Sequence, residues 1–163
     1  MLSDEDDQGR ALLESLTDEQ RVQALMAKKA PRDVITGPGH GDALTEITGL
    51  SAAAMTPEQR AILLRLIRVY LQNFEDGISG DMVSRMSEAG LDAISFAWMG
   101  TTPGEPYYYR IHGPTLLIEF DNAYPPGSDS GPINHIHTVL RNPGNDYGDD
   151  LLREHYQTSP HHQ

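Results

Sequence analysis

At 163 residues the chain is long enough for one hydrophobic core of ordinary size. Twenty-four acidic against twelve basic side chains leave a formal charge of −12, without the basic footprint that a nucleic-acid backbone requires. Zero cysteines exclude disulfides, thiolate metal ligands and a cysteine nucleophile, so any metal must be held by nitrogen and oxygen. The longest apolar run, residues 61–71, is interrupted by Arg65 and Arg68, so no membrane span is expected. The opening Met-Leu-Ser-Asp-Glu-Asp-Asp is acidic where an export signal would be basic and then apolar, and the compartment stays undetermined.

In chain order, a first helix is expected over Asp6 to Leu16. Thr17-Asp-Glu-Gln20 is a capping box that opens a second helix reaching about Lys29, where Pro31 stops it. Residues 30–55, with Gly37-Pro-Gly-His-Gly41, read as an irregular connection; the segment lacks the Lys-Ser/Thr of a phosphate loop, and His40 is a minor ligand candidate. Thr56-Pro57-Glu58-Gln59 starts a helix over 57–74, with Ile62, Leu63, Leu66, Ile67, Tyr70 and Leu71 at helical spacing. A shorter helix runs from about Gly80 to Ala89 and ends at Gly90. Ala93 to Met99 alternates as a strand, and residues 107–121 as a hairpin turning at Gly113-Pro114, which would pair His112 with Thr115, Arg110 with Leu117 and Tyr108 with Glu119. Residues 121–133 are too rich in Pro, Gly and Ser for regular structure and form a lid candidate. A strand over Asn134 to Arg141 follows, then a turn, a short helix from about Asp149 to Tyr156 and a His161-His162 tail. Asp146, Asp149 and Asp150 read as negative charge at that helix start.

Helices first and strands after them define an α+β fold. One domain over 1–163 is expected, mainly helical over 1–90, sheet over 91–141, with a C-terminal helix and tail over 142–163. The sheet would be antiparallel with three to four strands and helices on its apolar face. Strand alternation assigns Tyr107, Tyr109, Ile111, Leu116, Ile118 and Phe120 to that face, and Tyr108, Arg110, His112, Glu119 and Asp121 to the other. Burying Ile136, Thr138 and Leu140 sends His135 and His137 to the polar side as well. Two imidazoles two residues apart on a strand project the same way and suit zinc, copper or iron. A mid-strand Glu119 needs a cation or hydrogen-bond donors, and Arg110 on the next strand is one candidate partner. His135 and His137, completed by Glu119 or His112, are therefore the candidate metal ligands. Glu119, Arg110 and Tyr108 are the candidate catalytic or substrate-orienting groups. Asp121, Asn122 and Asn134 either orient the histidines or form Asx turns.

Phe96-Ala-Trp-Met-Gly100, Tyr108-Tyr-Arg-Ile-His-Gly-Pro114, Leu117-Ile-Glu-Phe-Asp-Asn122, Asn134-His-Ile-His137 and Asp146-Tyr-Gly-Asp-Asp-Leu-Leu152 resemble the C-terminal portion of the bacterial family called domain of unknown function 3500. The resemblance implies a longer protein, whose upstream half carries its own Gly-His-His and Leu-Asn-Phe segments and would add a wall or ligands to the polar face. It assigns no activity. The residues themselves point to a metal-dependent hydrolase or oxidoreductase with a small polar or anionic substrate. The rival is a non-catalytic module whose polar face, open to solvent, docks a second copy or that upstream half.

Overall fold

The capping boxes and apolar stripes produce helices where the sequence places them. In the computed structural model, which describes residues 2–40, 43–101 and 104–143, α1 spans Ser3–Ser15, α2 Asp18–Ala24, α3 Pro57–Leu71 and α4 Asp76–Ala89. Both Thr17 and Thr56 form the reciprocal capping bonds with Gln20 and Gln59. Leu63, Leu66, Ile67 and Tyr70 of α3 are buried in one core with Leu12 and Leu16 from the first helical region. The same core contains Tyr107, Tyr109, Ile111, Leu116, Ile118 and Phe120 of the sheet. Each fully buried aliphatic side chain of this set contributes about 1.5–3 kcal/mol. Gly9 lets α1 lie directly on the sheet, because a Cβ there would collide with the Tyr109 ring. The Tyr109 hydroxyl lies 2.7 Å from that of Tyr70 and donates to the Glu5 carbonyl at 2.8 Å.

The fold is α+β, and its sheet is mixed and has six strands instead of three or four: β1 Leu25–Ala27, β2 Leu50–Ser51, β3 Ser95–Met99, β4 Tyr107–Gly113, β5 Leu116–Ala123 and β6 His135–Arg141. The order is β1-β3-β4-β5-β6, with β2 also on β3. β1 runs parallel to β3, and the other pairings are antiparallel. The expected helix from Thr17 to Lys29 stops at Ala24, because pairing with β3 satisfies the backbone of residues 25–27 and Ala27 accepts from Gly100 N at 3.0 Å.

The hairpin turns at Pro114-Thr115 instead of Gly113-Pro114, so Gly113 pairs with Leu116, Arg110 with Glu119 and Tyr108 with Asp121. Gly113 is needed elsewhere: a Cβ there would stand 2.9 Å from the Ile94 side chain. The register differs from expectation by two residues, which leaves every side chain on its assigned face.

The polar face is not open. The segment following β1 crosses it, with Thr36 buried against Glu119 and Thr48 bonded to Arg110. The Arg141 guanidinium on β6 donates to the Thr36 carbonyl at 3.2 Å. No helix among the described residues is long and apolar enough to cross a membrane. The expected helix at 149–156, Asp146, Asp149, Asp150 and the terminal histidines lie outside the described residues.

Candidate functional site

Glu119 and Asp121 sit two residues apart on β5, point to the same face and are both fully buried. Their surroundings differ. Glu119 Oε2 accepts from the Ile35 backbone N–H at 2.7 Å and from the Tyr108 hydroxyl at 2.7 Å. Its Oε1 accepts from the Thr36 backbone N–H at 3.0 Å and from the Thr36 hydroxyl. Donors therefore saturate this carboxylate. Among the described residues it forms no ion pair with Arg110, whose guanidinium donates instead to Thr48 Oγ1 while its Nε has no partner. Burial and the Glu119 carboxylate push the Tyr108 phenol far above its usual range, so it remains a proton donor to Glu119. His112 is buried at the other end of the face, and burial together with the Arg110 charge keeps it below the usual imidazole range.

Asp121 is opposite His137 in the β5–β6 register. Its Oδ1 accepts from the His137 backbone N–H at 2.7 Å and lies 3.5 Å from His137 Nδ1. Its Oδ2 is buried without a partner. Burial, reinforced by the negative charge of Asp33 and opposed by the His137 backbone N–H, raises the Asp121 carboxyl to about 6. From the crossing segment, Asp33 brings Oδ1 to 2.8 Å from the same His137 Nδ1, without hydrogen-bond geometry. One donor atom each from Asp33, Asp121 and His137 falls within 4.8 Å of the others.

The 2.8 and 3.5 Å separations from His137 Nδ1 suit a cation. Donors about 2.1 Å from one ion stand about 3.0 Å apart at a right angle and about 3.4 Å apart at the tetrahedral angle. An ion would also satisfy the carboxylate that the protein leaves short of donors. The His135 ring lies edge-on to that of His137, with centroids 4.3 Å apart, outside the converging three.

Two of the three, Asp33 and His137, border a cavity of about 630 Å³, and Asp121 is not part of its lining. Its walls all come from one end of the sheet. Gly100 and Thr101 follow β3, Glu105 and Pro106 precede β4, Tyr124 to Asp129 follow β5, and His135 and His137 begin β6. Lys28 to Asp33 follow β1 and complete the wall. Strands lie about 4.8 Å apart, so β1 and β6 are separated by roughly 19 Å, a distance that six extended residues can cross. Residues 28–33 make that crossing, from the outer edge at β1 to His137. Residues 124–129 of the loop before β6 border the cavity, and the loop is tied to the crossing segment by an Arg32–Asp129 ion pair of 2.5 Å. The Tyr124 hydroxyl donates to Glu105 at 2.6 Å.

The structure brings His135 and His137 together. It places Glu119 opposite Val139 and His112 opposite Leu117, each in other surroundings. Tyr108, Arg110 and Glu119 lie beneath the crossing segment, and none of them lines the cavity. Asn122 Oδ1 accepts from the Tyr107 backbone N–H at 3.0 Å and so holds the sheet end in place. Asp33 had no local sequence signal, because only tertiary packing sets it beside His137. Lys28-Lys29 did have one, as a basic pair in an acidic chain.

Fold and site together define an α+β protein in which one histidine and two aspartates converge beside a sheet-end cavity. The chain belongs to the family described as protein of unknown function (DUF3500), whose model matches residues 1–149. No curated protein and no solved structure matches it.

Proposed function

We propose that the protein is a metal-dependent enzyme, a hydrolase or oxidoreductase, that binds a divalent transition metal through His137, Asp121 and Asp33 and takes a small polar substrate in the adjoining cavity. The observation that carries this reading is Asp121: a buried carboxylate whose Oδ2 has no partner and whose Oδ1 stands 3.5 Å from His137 Nδ1, with a second carboxylate, Asp33, 2.8 Å from that same nitrogen. Zinc, ferrous and manganous ions suit such a nitrogen and oxygen set. The backbone N–H of His137 orients Asp121, and β6 orients the imidazole. Asp33 closes the set from the crossing segment, while the cavity volume lies within the range of small-molecule sites. An ion held there would supply Lewis-acid or redox chemistry at the cavity wall.

The test is calorimetric titration of zinc, manganous and ferrous ions into protein lacking any affinity tag. One equivalent should bind. Asp121→Asn and His137→Ala should each weaken binding by about 100-fold or more, and His40→Ala should leave it unchanged. Absence of saturable binding by all three ions would overturn the reading.

A further inference from the structure

Lys28 and Lys29 are the only lysines in the chain, against ten arginines, and both line the cavity. Two adjacent ammonium groups repel each other, and a chain of charge −12 offers abundant carboxylates to separate them onto. Yet among the described residues neither lysine forms an ion pair. The third base of the segment, Arg32, is occupied by Asp129, and Glu105 by the Tyr124 hydroxyl. Lys28 and Lys29, both exposed, are thus the basic residues lining the cavity that form no ion pair among the described residues.

Their place is fixed by backbone. Lys28 follows directly on β1, and its carbonyl accepts from Thr101 N at 3.2 Å, which fastens it beyond the end of β3. His137 stands on β6, at the opposite edge of the sheet, with Asp121 facing it from β5 and Asp33 beside it from the crossing segment. A ligand that touches both must be elongated.

We infer that the cavity takes an elongated small molecule carrying a terminal oxyanion, a carboxylate or a phosphoryl group, held by Lys28 and Lys29 while its other end faces Asp33 and His137. This rests on the metal reading for the far end only. Ammonium groups are compact point charges that bind such oxyanions without the fixed fork of a guanidinium. In an acidic protein they also give the cavity a local attraction for anions.

The test uses the full chain, with and without one equivalent of zinc, and three probes: adipate, 6-phosphonohexanoate and the uncharged 1,6-hexanediol. At least one of the two acids should bind more tightly than the diol; tighter binding of 6-phosphonohexanoate than of adipate would assign the site to the phosphoryl group, and equal or weaker binding to the carboxylate. The Lys28→Ala/Lys29→Ala variant should lose about tenfold in affinity for that acid, keep its zinc affinity, and be rescued by Lys28→Arg/Lys29→Arg. The bound acid should also protect both lysines from an amine-reactive label read by mass spectrometry. Acid binding equal to that of the diol, or unchanged in the double alanine variant, would overturn the inference. Zinc titrated alone reports on the metal reading separately, and lysine-dependent acid binding in metal-free protein would uphold the oxyanion site even if zinc did not bind.

Discussion

Glu119 and Asp121 occupy the same strand, the same face and the same depth, yet one is finished by the protein and the other is not. Three residues of the fold spend four donors on Glu119, whereas Asp121 receives one backbone N–H and keeps a buried oxygen without a partner. Burial therefore does not by itself mark a site. A saturated buried carboxylate is a fastening, here for the segment that crosses the polar face. An unsaturated one beside an imidazole and a second carboxylate is where the proposed cation would bind.

Substitutions should separate the two roles. Glu119→Ala should have the largest effect on stability, about 3–5 kcal/mol in denaturant unfolding, because it leaves the donors of Ile35, Thr36 and Tyr108 unpaired. A loss below about 1 kcal/mol would show that the fastening is not needed.

Asp121→Asn should act in the opposite direction on metal-free protein. The folded carboxyl is raised to about 6 from an unfolded value of about 4, so the native state binds the proton more tightly. Its contribution to stability is present below about pH 4, falls as pH rises to about 6 and stays lost above. The asparagine variant should lack this fall and so be more stable than the parent at pH 7.5 by about 2–3 kcal/mol relative to the pair at pH 4. Thermal unfolding across that range checks it, and parallel profiles for the two proteins would remove the account of Asp121 as an unsatisfied charge.

His135→Ala sharpens the comparison on the metal side. Its ring touches that of His137 but stands outside the converging donors, so zinc affinity should fall by less than about tenfold, well short of the loss in His137→Ala. Equal losses would enlarge the donor set to two histidines. The smallest effect is expected at the cavity mouth: Asp129→Ala removes an exposed ion pair with Arg32 and should cost under about 1 kcal/mol, a difference that high salt erases.

Much of this was legible in the sequence. The stripe of Leu63, Leu66, Ile67 and Tyr70 marks the helix that covers the sheet, and alternation through 107–121 separates core from polar residues correctly, because the two-residue difference in hairpin register preserves every face. The cost of a mid-strand Glu119 correctly signals a need for partners, and the structure supplies Thr36, Ile35 and Tyr108. Tyr108 belongs to the alternating hairpin, but Ile35, Thr36 and Asp33 come from a segment without periodicity, whose course depends on β1 and β2. Strands of three and two residues are too short to leave a pattern, so the covering of the polar face and the composition of the donor set could be read only from the tertiary structure.

X-ray absorption spectroscopy of the zinc-loaded protein tests the central claim most directly, since it counts imidazole and oxygen neighbours of the ion. The account predicts a single imidazole, from His137, with the remaining neighbours being oxygens at about 2.0–2.2 Å, and loss of this signal in Asp121→Asn. A spectrum with two or more imidazoles, or one unchanged by Asp121→Asn, would contradict it.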